Sequence, residues 1–406
     1  MIGNISLSIG IIAHSYLPVS GGIQTYIHAN AKEFVRFGHR VHVIVPNNSL
    51  NKARHTVMDG VHVHRTRIDN IDWSYPVEDN HIGGWETHKD HRRWGAQVVQ
   101  MAMEALPIIK KVWQFHKIPY VDSMYGFFTD YHPSLEMRAA SRNFYENGGM
   151  GAVIVVGDHV RRQCESGKIP KRLLRVVNPS VDFERFDPER LTDEVIKKFN
   201  LPITKKTKVL FCPIRLQERK GFKCALHTFS KIKKRYPDCH LIISGGSSAN
   251  PAGIEKPLSA YHRITDELDI VDQCSLLLNR INDEEMISFY KLADVVFMPS
   301  LQEGFGISIL EALAMKRPIV ATDIPPFRES SGDYALFFEP NHAEGAARAI
   351  LKTLEYDNQI VNQVERGFRH VRNRYNAARL AKQMLGVYEE ILSQKNPIGF
   401  SHIGSF

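Results

Sequence analysis

The sequence predicts an α/β chain built from two Rossmann-like halves. Three observations carry that expectation. The chain opens with a strand-helix-strand rhythm, a second series of short apolar runs and amphipathic segments begins near Val209, and a stretch holding Pro179, Pro188 and Pro202 lies between them. At 406 residues the chain also exceeds what one hydrophobic core normally serves, and about 150 residues per domain makes two domains the better count. The expected division is residues 1–180 and 181–376, followed by a last amphipathic helix over 377–393.

Ser8 to Ala13 is a short apolar run suited to a buried parallel strand. A loop from His14 to Gly22 follows, with the pair Gly21-Gly22 at its end. Ile23, Tyr26, Ile27, Ala31, Phe34 and Val35 then recur at helical spacing until Gly38 stops the helix. Val41 to Val45 is the second strand, which completes a β-α-β unit and so a parallel pairing. Val61-His62-Val63-His64 alternates like a strand with histidines on its polar face. Asp69 to Arg93 reads as a polar, aromatic, His-rich loop, and Ala96 to Lys117 as a helix broken at Pro107. A strand within Pro119–Gly126, a helix over Pro133–Asn147 and a buried strand over Ala152–Val156 complete the first half.

Residues 178–208 read as a hinge. Strands are then expected at Val209–Cys212, His240–Ser244, Ser275–Leu278, Val295–Met298 and Pro318–Thr322, alternating with helices.

Composition removes several classes of function. Hydrophobic residues at 43% and charged residues at 24% exclude a mainly disordered or fibrous chain. No apolar run approaches the ~18 residues needed to cross a bilayer. Met1 to Gly10 lacks the cationic start and apolar core of a secretory signal, so the expected location is cytoplasmic. Cys164, Cys212, Cys224, Cys239 and Cys274 are widely spaced without a CxxC pair, which fits reduced core thiols and neither a disulfide framework nor zinc. His88-x2-His91 has a ligand spacing but no companion Cys or carboxylate, so no metal is expected. The net charge is +8, and residues 1–180 hold 21 Lys+Arg against 15 Asp+Glu, or +6 of it. That excess suits an anionic membrane surface or a phosphorylated small molecule, and equally a solvated face. Lys110, Lys111, Trp113 and Lys117 on the expected helix are the residues for a peripheral membrane contact.

The strongest local chemistry lies in Glu303-Gly304-Phe305-Gly306-Ile307-Ser308-Ile309-Leu310-Glu311. A glycine-rich turn between a strand and a helix presents backbone N–H groups at the positive end of the helix dipole, which suits phosphate. Glu303 and Glu311 can accept hydrogen bonds from sugar or ribose hydroxyls. Arg215 and Lys220-Gly221 follow the strand Val209–Cys212, where ligands bind in doubly wound sheets, and two cations there can neutralise a departing diphosphate. Gly21-Gly22 lacks the GxGxxG spacing, which argues against a nicotinamide oxidoreductase. Taken singly, each of these features reads as an ordinary turn or surface charge.

Together and in order they resemble the retaining glycosyltransferases of family 4, which have the GT-B fold of two facing Rossmann-like domains. The matching segments are Asn178-Pro179-Ser180-Val181-Asp182 with Phe186-Asp187-Pro188, Arg215 to Gly221, Leu241-Ile242-Ile243-Ser244-Gly245-Gly246, Pro299-Ser300 with the Glu303–Glu311 (EX7E) block, and Pro318 to Thr322. Gly21-Gly22 with Gly38-His39-Arg40-Val41 resembles the N-terminal signature.

The resemblance implies a hexosyl transfer from a nucleoside-diphosphate sugar, UDP-sugar favoured, to a hydroxyl of a small-molecule or glycan acceptor. It implies no metal, no other cofactor and no nucleic-acid partner. Residues 1–180 would take the acceptor and 181–376 the donor, and the final helix would pack back on the first domain. Arg215 and Lys220 would bind and stabilise the diphosphate. Glu303, with the backbone of Gly304, Phe305, Gly306 and Ile307, would hold the sugar. Glu311 would bind the ribose, Gly245 and Gly246 would lie beside the nucleotide, and Gly22 would admit the diphosphate. The family's cleft histidine has one candidate here, His132, after a stretch that looks shortened by one strand. The competing readings are a sugar-nucleotide epimerase or phosphorylase of related fold, and a catalytically silent sugar-nucleotide-binding protein.

Overall fold

A computed structural model describes residues 6–13, 16–17, 22–46, 55–66, 98–101, 120–124, 151–189, 194–245, 254–278 and 281–393. The chain divides into two compact units, Met1–Ser180 together with Ala377–Phe406, and Val181–Asn376.

The first unit is organised by eight strands. They are β1 (Ser8–Ile12), β2 (Arg40–Pro46), β3 (His55–Met58), β4 (Val61–Thr66), β5 (Val98–Met101), β6 (Tyr120–Met124), β7 (Ala152–Val155) and β8 (Leu174–Val176), in the sheet order β3-β4-β2-β1-β5-β6-β7-β8. Every neighbouring pair is parallel except β3–β4. The five residues of β1 are all buried, as an unbroken apolar run requires in a sheet covered on both faces. Helix α1 (Gly22–Arg36) returns the chain from β1 to β2 and buries Tyr26, Ile27, Ala31 and Phe34, the residues whose spacing predicts it. Val61 and Val63 are buried while His62 and His64 are half-exposed, so β4 alternates as expected. Helix α2 (Asp158–Ser166) follows β7.

One expectation fails here. The segment expected to begin a helix at Ala96 instead forms β5, held in parallel register between β1 and β6. Val98-Val99-Gln100-Met101 is too short for periodicity to separate a buried strand from a buried helix turn. Its place in the middle of the sheet settles the matter, because leaving the centre open would strand the backbone groups of β1 and β6. With β5 and β6 both present between β4 and β7, the stretch is not short of a strand. Gln100 is buried and donates to Ser123 Oγ at 2.8 Å, and Tyr388 of the C-terminal helix Ala377–Ser393 donates to its carbonyl oxygen. The same helix sets Tyr388 against Phe34 of α1 and pairs Glu390 with Arg175. The expected loop Asp69–Arg93 with its histidines, the expected helix Pro133–Asn147 and the Lys110–Lys117 face lie outside the described residues.

The second unit carries a wholly parallel six-stranded sheet. Its strands are β9 (Lys208–Arg215), β10 (Cys239–Gly245), β11 (Cys274–Leu276), β12 (Val295–Met298), β13 (Ile319–Thr322) and β14 (Leu336–Phe338), in the order β11-β10-β9-β12-β13-β14. Helix α3 (Glu194–Lys198) precedes β9, helices α4 (Phe222–Lys233), α5 (Glu255–Glu267), α6 (Asp283–Leu292), α7 (Ile307–Ala314) and α8 (Pro325–Ser331) connect the strands, and α9 (Ala343–Leu354) and α10 (Asn358–Arg374) follow β14. Leu210, Cys212, Leu241, Ile243, Val295, Phe297 and Val320 meet Phe222, Leu226, Phe229 and Ile350 in one core. The sheet reverses its winding between β9 and β12, which lie side by side and point the same way.

The boundary between the two units, Ser180/Val181, falls inside the hinge expected over 178–208, and the described residues after it pack within the second unit. Phe186 and Leu201 are buried, Phe186 meets Tyr290 edge-on with centroids 6.1 Å apart, and Lys198 pairs with Glu285. Prolines mark this segment as a linker, but its spaced apolar side chains give it a packed place in the second unit.

Candidate active site

Loops at the carboxyl ends of β9 and β12 necessarily emerge on the same edge of the sheet, since the two strands are adjacent and parallel. Ligands of open α/β sheets bind at such a switch point. Arg215 is the last residue of β9 and pairs in register with Gly245 at the end of β10. A single 3-10 turn, Glu218–Lys220, carries the chain on to α4. Gly221 caps α4 in the left-handed region, at φ 73°. A Cβ there would lie 2.0 Å from the carbonyl oxygen of Pro299, so the backbones after β9 and β12 touch. The Leu301 N–H donates to Arg219 O at 2.8 Å and closes the same junction.

This junction brings two sequence-separated candidates into contact. Lys220 Nζ stands 2.6 Å from Glu303 Oε1, each side chain keeping 16% of its surface exposed. Burial holds the Lys220 ammonium below its ordinary pKa, and the Glu303 carboxylate offsets only part of that effect. Arg215 and Arg219 act electrostatically on the same pair, and Arg215 is itself exposed. Arg215 and Lys220 thus share the Glu303 carboxylate, and Arg219 beside them adds to an excess of positive charge in a half-sheltered place. The sequence alone does not single out Arg219, although its position beside Lys220 is an available signal.

After Glu303 the chain turns through Gly304, Phe305 and Gly306 into α7. The Phe305 side chain is 3% exposed and lies edge-on to Tyr375 at 5.7 Å, so its ring anchors the turn. What the turn offers a ligand is its backbone, together with the N–H groups of the first turn of α7, which begins at Ile307. Glu311 lies one turn into α7 and accepts a 2.7 Å hydrogen bond from the Tyr290 hydroxyl at its Oε2. Tyr290 is a second residue that sequence reasoning misses, since an aromatic in an apolar helix gives no sign of a polar contact.

Gly22 opens α1 in the first unit, at the helix end nearest the carboxyl end of β1. His132 and Gly246 lie outside the described residues. Among the described residues no group of three or more His, Cys, Asp or Glu side chains is placed to hold a metal ion. No helix among them is long and apolar enough to cross a membrane.

Comparison with known proteins places this arrangement in context. Residues 193–370 match the family described as Glycosyl transferases group 1, and residues 20–185 match Glycosyltransferase Family 4. A D-inositol 3-phosphate glycosyltransferase of Corynebacterium urealyticum is 32% identical over 242 residues, covering 56% of this chain and 55% of that protein. The chain therefore spans about half the length of that curated relative. Among solved structures, a glycosyltransferase from Rickettsia africae superposes with a TM-score of 0.76 at 19% identity, covering 96% of this chain and 99% of the other. Anabaena HepE in complex with UDP and glucose superposes with a TM-score of 0.76 at 15% identity, covering 94% and 99%. At these identities the structures show a shared fold, which is GT-B. The two family matches, which in chain order take in residues 20–185 and 193–370, show that the chain belongs to glycosyltransferase family 4.

Proposed function

We propose that the chain is a retaining, metal-independent hexosyltransferase that moves a sugar from a nucleoside-diphosphate sugar to an acceptor hydroxyl. The observation that carries this reading is the Lys220–Glu303 pair at the end of β9 and β12, with Arg215 and Arg219 beside it. In the reaction the bond between the anomeric carbon and the diphosphate oxygen breaks, and negative charge grows on the departing phosphate. Fixed cations in a half-buried site stabilise that charge without the reorganisation water would need. Arg215 and Lys220 fill this role, which is the part a metal plays in other diphosphate chemistry. Lys220 exchanges Glu303 for phosphate as the donor binds, and Glu303 then accepts from the sugar hydroxyls. The backbone at Gly304, Phe305, Gly306 and Ile307 completes the sugar site, Glu311 takes the ribose, and Gly245 with Gly246 flanks the nucleotide. Gly22 and His132 are assigned to the diphosphate and the acceptor side on the family resemblance alone.

UDP is the favoured nucleotide, since HepE is a structural neighbour crystallised with UDP and with UDP-glucose. The acceptor is proposed to be anionic. The similar Corynebacterium proteins are named D-inositol 3-phosphate glycosyltransferases, and residues 1–180 of this chain carry +6 of the net +8.

The test is a calorimetric screen of UDP-, GDP- and ADP-sugars, followed by transfer assays with and without EDTA and by NMR of the product's anomeric proton. Donor binding, EDTA-insensitive turnover and unchanged anomeric configuration are expected. Inversion, or activity abolished by chelation, overturns the corresponding part of the proposal. An epimerase would change the donor sugar with no acceptor present, which the same NMR experiment reads.

A further inference from the structure

Glu311 is held by a residue that touches no ligand under the reading above. The Tyr290 hydroxyl lies 2.7 Å from Glu311 Oε2 and 3.4 Å from the carbonyl oxygen of Ser308 in the first turn of α7. Tyr290 is 0% exposed, on the buried face of α6, and its ring is fixed on two sides. Phe186 and Phe211 meet it edge-on, with centroids 6.1 and 5.3 Å away. Helix α6 is itself pinned at its start. Asn282 and Glu285 form a reciprocal capping box there, and Lys198 pairs with Glu285. The phenol is therefore delivered to α7 by packing that does not depend on Glu311.

We propose that Tyr290 is a positioning residue. It fixes the carboxylate plane of Glu311 and so sets the direction in which that carboxylate accepts from the ribose hydroxyls of the donor nucleotide. The inference rests on the assignment of Glu311 to the ribose. A glutamate on a helix surface has three side-chain torsions, and binding a ribose would otherwise require ordering them at the moment of contact. A hydrogen bond from a rigid buried phenol removes that cost in advance. The donor must also stay a donor, and burial together with the adjacent Glu311 carboxylate keeps the Tyr290 phenol protonated far above its ordinary range. Phenylalanine would preserve the ring contacts with Phe186 and Phe211 and remove only the O–H.

The experiment uses the full chain with Tyr290→Phe and Glu311→Gln. Each protein, and the wild type, is titrated calorimetrically with UDP, GDP and ADP and with their 2′-deoxy and 2′,3′-dideoxy counterparts. Tyr290→Phe is expected to weaken the ribonucleotide that binds best by about tenfold, the size of a lost hydrogen bond to a charged group. It should leave the dideoxy form within about twofold, so that discrimination between ribose and dideoxyribose narrows. In turnover assays the donor KM should rise while kcat at saturation stays within about twofold. If Tyr290→Phe weakens ribo and dideoxy forms alike, its role is only structural and the positioning role is overturned. If Glu311→Gln leaves ribose discrimination untouched, the assignment of Glu311 fails and this inference falls with it. Discrimination lost in Glu311→Gln but intact in Tyr290→Phe overturns the positioning role alone. Binding of none of the nucleotides by the wild type overturns the donor reading itself.

Discussion

Replacing Gly221 by alanine should disrupt the place where the loops after β9 and β12 meet. At φ 73° an L-residue is strained, at a cost of about 1–2 kcal/mol. The added Cβ would also sit 2.0 Å from the Pro299 carbonyl oxygen and 2.7 Å from its carbon. Both atoms are backbone at the end of β12, so neither can swing aside, and such overpacking costs about 1–3 kcal/mol more. A sum near 3 kcal/mol lowers the melting temperature of a unit this size by roughly 6–12 °C. Urea and thermal melts of the full chain measure it. Gly38→Ala is the internal control, since Gly38 has φ 88° but a Cβ added there would meet nothing within 4 Å, so strain acts without the clash. Gly221→Asn is the second control, because asparagine tolerates the left-handed region yet still carries a Cβ. The clash predicts that Gly221→Ala exceeds Gly38→Ala and that Gly221→Asn keeps the clash part of the alanine loss, about 1–3 kcal/mol. Equal losses at Gly221 and Gly38, or recovery of stability in Gly221→Asn, would refute the steric argument.

Three further outcomes are expected. Arg215→Ala and Lys220→Ala should each lower kcat/KM by about 2–4 kcal/mol of transition-state stabilisation, with far smaller changes in melting temperature, and near-normal turnover in both would remove the diphosphate assignment. His240 is 2% exposed, and burial lowers its imidazole from 6.5 to about 4. Its folded-state pKa lies below the unfolded one, so its contribution is fully present above pH 6.5 and is lost as pH falls from 6.5 towards 4. That amounts to about 3 to 4 kcal/mol, and urea midpoints of the wild type should drop across this interval more steeply than those of His240→Gln, while parallel slopes would refute it. An anionic acceptor attracted by the basic first 180 residues should show a KM that rises between low and physiological ionic strength, and a flat KM in a folded enzyme favours a neutral acceptor.

The sequence by itself determined the parts of this protein that depend on neighbours along the chain. Apolar runs such as Ile9 to Ile12, Leu210 to Cys212 and Val295 to Met298 read as buried strands because they alternate along the chain with longer amphipathic helical segments, the rhythm of a parallel α/β sheet. The turn Glu303–Gly306 before α7 and the Arg215–Gly221 segment were legible for the same reason, since glycine spacing and charge are local properties. The tertiary structure decided what depends on sheet order. Val98–Met101 became a strand because the gap between β1 and β6 must be filled, and the proline-marked segment after Ser180 packed because Phe186 found Tyr290. Lys220 and Glu303 lie 83 positions apart and Tyr290 and Glu311 lie 21 apart, yet each pair is in hydrogen-bond contact. Periodicity reports which face of an element is apolar. Which two polar atoms meet is set by the order in which strands pair, and by the close backbone approach that Gly221 permits.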